Sequence, residues 1–377
     1  MKKKLRLLLV ADTYYPKVDG TLKFLEEFIK RAARDFDISL LVPNLGVAKK
    51  INGVENITWI KPSKRLAVSG YPNLAFSVDN IKKIKETVQR ADLVFVQGPA
   101  LISYCTMYYS KKMGKRTVFY VHTISWELFA KFFPKILGFF FFSLIKSISL
   151  SFYNKCDLVI VPYQGLKERL EEEGVETNIA VARLGVDIDR FSPVKDNSVW
   201  KEKFKIGKDK FVVGYVGRIS REKNTKVLLE AFKKLSNQDK LHLLMVGDGP
   251  KRIVRELEKL ENCTVTGFVN NVQDYLKAMD VFVMPSLTET TSLATLEAMS
   301  TGLPVIASRV GFIKNYIIRN HNGMFFPKES EIILAGKIDK LRKDIILREK
   351  LGYNARKTIA YSFSWERSIN RIKRILE

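Results

Sequence analysis

Residues 281–311, VFVMPSLTETTSLATLEAMSTGLPVIASRVG, leave this chain little choice of fold. VFVMP is a short apolar run stopped by Pro285, which reads as a buried strand. A hydroxyl-rich loop follows from Ser286 to Thr291. Leu293, Leu296 and Met299 give one apolar face to a helix that Gly302 and Pro304 close. Val305 to Ala307 is the next buried strand. Strand, helix and strand in this order belong to an open parallel sheet, where ligands bind at the carboxyl ends of the strands. The start of the helix has free N–H groups and suits an anion, most often a phosphate.

Two carboxylates frame that anion position, Glu289 in the loop and Glu297 on the helix, with seven residues between them. N–H groups for phosphates and acids for hydroxyls suit a sugar nucleotide. A capping loop before a solvated helix face accounts for the acids without any ligand. A second anion position lies at FVVGYVG (211–217), followed by Arg218-Ile-Ser-Arg-Glu-Lys223-Asn224 and the helix 225–235. Gly217 lets the backbone approach closely, and Arg218 and Lys223 supply positive charge. Strands are expected also at 5–10, 38–43, 93–98, 117–122, 157–162 and 241–246. Helices are expected near 21–32, 79–90, 101–113, 164–173 and through 331–377. His122 falls at the carboxyl end of TVFYVH, where a strand hands over to a loop.

These motifs resemble the retaining, GT-B-type nucleotide-sugar glycosyltransferases of family 4. Their signature reads P-S-x-x-E-x7-E-A, then G-x-P-V-x-A-S. Pro285, Ser286, Glu289, Glu297, Ala298, Gly302, Pro304, Val305, Ala307 and Ser308 stand in register. The resemblance runs over essentially the whole chain. It implies an α/β fold of two Rossmann-like domains facing across a cleft. Residues 1–190 would bind the acceptor and 191–360 the nucleotide sugar, with a helix at 361–377 crossing back. It implies a metal-independent hexosyltransferase acting with retention. The donor would touch Gly20, Gly217, Arg218, Lys223, Val269, Glu289, Thr290, Thr291, Ser292, Leu293 and Glu297. His122, Glu289, Arg218 and Lys223 would do the catalytic work, with His122 beside the transferred sugar. Asp19 and Glu127 would serve the acceptor, Glu127 also by orienting His122. Asn224, Thr290 and Ser292 replace glycines common in the family, and the loop after Ser308 lacks its second glycine, proline and glutamate. The base and sugar therefore stay open among UDP-, GDP- and ADP-sugars.

At 377 residues the chain is long for one core and fits two domains. Cys105, Cys156 and Cys263 are unpaired in spacing, which argues against a disulfide framework or zinc site. Met1 to Val10 is too short for a signal segment, so a cytoplasmic protein is expected. Asp187-Ile-Asp189 has the form of a metal-holding D-x-D, but it lies in the interdomain segment, and no metal or other cofactor is expected.

The net charge of +24 favours anionic partners. Residues 101–155 carry Lys111, Lys112, Lys115, Arg116, Lys131, Lys135, Lys146 and Lys155 against Glu127 alone. This basic excess overlaps LFAKFFPKILGFFFFSLIKSISLSFY (128–153). Lysines interrupt the run too often for a membrane span, which needs about 20 apolar residues. An interfacial helix fits, with Phe139, Phe140, Phe141 and Phe142 dipping into an anionic membrane surface; a core helix is the alternative. The acceptor is then expected to be a membrane lipid or lipid-linked sugar, with the protein peripheral on the inner face of the membrane. A transferase for free sugars or sugar phosphates is the rival reading. A basic nucleic-acid-binding protein fits poorly, because the aromatics cluster with aliphatics and do not alternate with cations.

Overall fold

The computed structural model describes residues 4–377 apart from 18, 69–70, 123, 131–134 and 236–237, and omits the side chains of 64–68, 71–73, 128–130, 135–141 and 238. The chain forms two compact units, Met1–Arg183 with Ser368–Glu377, and Leu184–Arg367. The first boundary therefore lies at 183, not 190. Val186 explains the shift: its N–H donates to Phe363 O at 2.7 Å, and it bridges to Ser364 inside the second unit. A Cβ on Gly185 would stand 2.6 Å from the Trp365 backbone, so only glycine passes there. The return to the first unit comes at Ser368, not 361. The Ser368 hydroxyl donates to Arg183 O at 2.5 Å, and Ile372 and Leu376 are fully buried.

The N-terminal unit contains β1 (Leu5–Val10), β2 (Phe36–Pro43), β3 (Asn56–Ile60), β4 (Pro62–Val68), β5 (Tyr71–Leu74), β6 (Leu93–Val96), β7 (Arg116–Tyr120), β8 (Leu158–Val161) and β9 (Ile179–Val181). Seven of these form one sheet in the order β3-β2-β1-β6-β7-β8-β9, parallel at every pairing. β4 and β5 form a separate antiparallel pair. The C-terminal unit contains β10 (Phe211–Val216), β11 (Leu241–Val246), β12 (Cys263–Val265), β13 (Val281–Met284), β14 (Val305–Ser308) and β15 (Met324–Phe326). Their order is β12-β11-β10-β13-β14-β15, again all parallel.

Both sheets are doubly wound. Helices cover both faces, so the central strands are apolar without alternation: all of β10 and all of β13 are buried. In each sheet the strand order reverses beside the first strand. The crevice at a switch point thus opens at the carboxyl ends of β1 and β6 in one unit, and of β10 and β13 in the other.

Residues 128–153 divide into the end of the Ser125–Ala130 helix and a second helix, Lys135–Tyr153. Among the described residues no helix is long and apolar enough to cross a membrane. Phe139, Phe140 and Phe141 lie outside the described side chains. Phe142 is half-buried and packs against the core of its unit with Ile145, Leu150 and Phe152. Leu144 and Ile148 on the same helix are 44% and 43% exposed.

Candidate active site

The switch point of the C-terminal unit brings the two sequence motifs together. Lys223 lies in the loop after β10 and Glu289 in the loop after β13. Lys223 Nζ donates to Glu289 Oε1 at 2.6 Å, with the lysine side chain 22% exposed and the glutamate 8%. Ser286 Oγ donates to the same oxygen at 2.7 Å. A carboxylate has about four acceptor positions, so Glu289 retains capacity for further hydroxyls. Its charge reaches the surrounding phenols: burial first, then Glu289, drives Tyr215 and Tyr316 upward from their ordinary pKa. Arg218 is exposed, and its guanidinium makes no ion pair among the described residues. Its carbonyl accepts the Tyr215 hydroxyl at 2.8 Å, which pins the turn at Gly217.

Backbone geometry fixes the acid loop. Gly311 has φ +50°, and a Cβ there would lie 1.7 Å from Glu289 O. Phe312 N–H then donates to Thr290 O at 2.8 Å, tying this loop to the one after β14. Ser292, just before the Leu293–Ser300 helix, has φ +59°; Asn224, just before Thr225–Lys233, has φ +51°. Both are left-handed positions that glycine occupies at least cost. Two of the three expected family glycine positions, Asn224 and Ser292, thus keep a backbone that glycine favours, whereas Thr290 is not among the left-handed residues. Asn224 adds a side-chain bond to Lys328 O at 2.6 Å. Thr291 is buried, and its hydroxyl has no hydrogen-bond partner among the described residues. Glu297 is buried on the helix, Leu293 half-buried at its start, and Val269 half-buried in the loop after β12.

In the N-terminal unit, Asp12 follows β1 and Gln97 follows β6. Asp12 is fully buried and accepts the Ala100, Ile102 and Ser103 N–H groups at 3.0, 3.0 and 3.2 Å, and the Ser103 hydroxyl at 2.6 Å. It caps the helix Leu101–Lys112 and was not singled out by sequence. His122 follows β7. Its ring stacks on Tyr120 at 4.3 Å and meets the Phe24 ring edge-on at 4.9 Å. Its Nε2 lies 3.3 Å from Gln97 Oε1. Burial pushes its pKa down to about 3.

Three residues expected at the site in this unit have structural contacts of their own or no special backbone. Glu127 pairs with Arg169 at 2.7 Å and not with His122, whose Nε2 faces Gln97 instead. Asp19 caps the Gly20–Ala32 helix, accepting Thr21 and Leu22 N–H at 3.0 Å each, so its carboxylate already has a structural task. Gly20 is the first residue of that helix and is not among the left-handed glycines, so its glycine identity is not required by φ. Asp187 Oδ1 accepts Arg190 N–H at 3.0 Å as a turn cap. Among the described residues no cluster of three or more His, Cys, Asp or Glu side chains is arranged to hold a metal.

Comparison with known proteins adds a context to this geometry. The family model "Glycosyltransferase Family 4" matches residues 18–190, and "Glycosyl transferases group 1" matches residues 196–358. An alpha-monoglucosyldiacylglycerol synthase of Acholeplasma laidlawii is 24% identical, over 87% of this chain and 86% of the relative. A sulfoquinovosyl transferase of Arabidopsis thaliana is 26% identical, over 97% of this chain and 72% of the relative. The solved structure of HepE from Anabaena in complex with UDP-glucose has a TM-score of 0.79 at 18% identity, covering 99% of both chains. The last of these is a likeness of GT-B fold.

Proposed function

This chain belongs to glycosyltransferase family 4 and is a hexosyltransferase dependent on a nucleotide-diphosphate sugar, and on that premise we propose that it transfers the hexose, with retention and without a metal, to a membrane lipid or lipid-linked acceptor. The observation that carries the donor half is the 2.6 Å pairing of Lys223 with Glu289, which unites both motifs at one switch point. The acceptor half is supported by the diacylglycerol in the printed name of the Acholeplasma laidlawii relative and by the apolar Lys135–Tyr153 helix with Leu144 and Ile148 exposed.

Breaking a sugar–phosphate bond builds negative charge on the departing diphosphate. Arg218, Lys223 and the N–H groups near Gly311 stabilise it in place of a metal ion, and such preorganised donors are commonly the largest catalytic contribution. An arriving diphosphate competes for Lys223, and the acid it leaves takes up sugar hydroxyls. Glu297 takes the ribose hydroxyls, and His122 a hydroxyl of the transferred sugar. The acceptor attacks the face that the leaving group departs from, and the diphosphate takes the acceptor's proton.

Thermal stabilisation by UDP, GDP and ADP and their sugars identifies the donor. A ligand at a hundred times its dissociation constant adds about 2.7 kcal/mol. Transfer of radiolabelled sugar from that donor into a diacylglycerol-containing vesicle fraction then tests the acceptor. Label appearing only in water-soluble products points to the second reading, a transferase for sugars or sugar phosphates. The inward packing of Phe142 favours that reading, since it removes one phenylalanine from the lipid-facing set.

A further inference from the structure

Gln97 stands directly after β6 and is 1% exposed. Its Oε1 faces His122 Nε2 at 3.3 Å, while its Nε2 has no partner among the described residues. The other close neighbours of the imidazole, Tyr120 and Phe24, present ring surfaces and edges, which do not choose between the two nitrogens. A neutral imidazole has one N–H and one lone pair, and the partner of one nitrogen decides which is which. An amide oxygen only accepts, so opposite it the ring nitrogen must carry the proton.

We propose that Gln97 is a positioning residue that holds His122 as the Nε2–H tautomer and so presents Nδ1 as a lone-pair acceptor to a hydroxyl of the donor's sugar. The assignment rests on the reading of His122 as the sugar contact. The depressed pKa of the ring keeps it neutral at ordinary working pH, so the tautomer is its one remaining variable. In this arrangement His122 neither delivers a proton nor carries a charge; it selects for a donor hydroxyl at one position of the hexose. The opposite amide orientation would place the proton on Nδ1 and turn the ring into a donor, which makes the tautomer a direct measure of the assignment.

The test is 15N NMR of the histidine ring nitrogens in the full-length protein. With three histidines in the chain, His122→Asn identifies the signals. The expected pattern is a pyrrole-type Nε2 and a pyridine-type Nδ1. Gln97→Met, close in size but without an acceptor, should mix the tautomers. It should also lower kcat about fivefold to tenfold, the worth of one hydrogen bond. The assay donor is whichever of UDP-glucose, UDP-galactose, GDP-mannose and ADP-glucose gives the largest thermal shift. A pyrrole-type Nδ1 in the unsubstituted protein overturns the proposal, as does an unmoved tautomer in Gln97→Met. A moved tautomer with an unchanged rate leaves the tautomer assignment standing and removes His122 from the sugar.

Discussion

Lys223 Nζ and Glu289 Oε1 lie 2.6 Å apart, although 66 positions separate them in sequence. The cation expected to hold the diphosphate and the acid expected to hold the sugar thus form one ion pair.

Glu289→Gln should therefore preserve the shape of the loop and lose activity. With an amide in place of the carboxylate, kcat should fall on the order of a hundredfold or more, as for removal of an oriented charge-stabilising group. Steady-state kinetics with the donor found by thermal shift check this. Lys223→Ala should have two effects. It abolishes donor-induced stabilisation, and it leaves the nearly buried Glu289 with Ser286 alone, which should cost about 1–3 kcal/mol without ligand. Equal Tm values for Lys223→Ala and the parent protein would contradict the pairing.

Gly311→Ala should fail more severely than its small size suggests. The added methyl would enter the van der Waals shell of the Glu289 carbonyl at a left-handed φ. The acid loop must then move, so both Tm and kcat should drop, and a crystal structure of the variant should show Glu289 displaced. The gentler companion is Ser292. Ser292→Gly should be more stable than Ser292→Ala by about 1 kcal/mol, because both lose the bond to Thr295 but only alanine bears the left-handed penalty. Chemical denaturation distinguishes them.

Histidine burial sets a pH window for stability. The native ring of His122 titrates at about 3 and that of His242 at about 4, whereas an unfolded histidine titrates at about 6.5. Between these values the unfolded chain binds protons that the native chain refuses. Their contribution is thus complete above pH 6.5 and is lost as pH falls through the window toward 3–4. Tm should decline from pH 7 to pH 4.5, and the slope should lessen in His122→Asn and again in His122→Asn with His242→Asn. Sugar transfer should show no inflection at 6.5 due to His122.

Membrane docking has a sharper test than the phenylalanine run offers. Phe142 supports the core, so its replacement confounds stability with binding. Leu144 and Ile148 are exposed on the same helix, with Lys111, Lys112 and Lys155 also exposed in this unit. Leu144→Ser with Ile148→Ser should leave Tm almost unchanged and weaken binding to phosphatidylglycerol vesicles in cosedimentation on the order of a hundredfold, about 1.5 kcal/mol being withdrawn per buried aliphatic side chain. Unchanged cosedimentation would turn attention to the free-sugar reading.

Much of this was legible in the residues because buried parallel strands carry an unmistakable apolar run. LRLLLV, LVFV, FVVGYV and VFVM all appear as strands where they were expected. The exposed edge was harder. β3 begins with an exposed Asn56, is half-buried over residues 57–59 and buries only Ile60, and β4 and β5 pair with each other, so residues 44–74 gave no periodic signal. In the site, the acids and cations were readable from spacing, but their mutual pairing was not. Nor was the part played by Gln97 and Asp12, since a single polar residue after a strand looks the same whether it caps, orients or merely ends the run. Asn224 and Ser292 show the converse: their left-handed backbones preserve what the glycine positions had implied, although the residues themselves changed.

The C-terminal residues impose an order on biosynthesis. Lys373 pairs with Asp35 at 2.9 Å, and Arg116 donates to Leu376 O at 2.5 Å, both within the unit built from the first half of the chain. A ribosome delivers residues 184–367 before it delivers these. The unit translated first is consequently the one finished last, and a nascent chain arrested once Arg367 has emerged, but before Ile372 and Leu376 do, should expose their apolar seat to chaperones while its later-made neighbour already has every residue it needs.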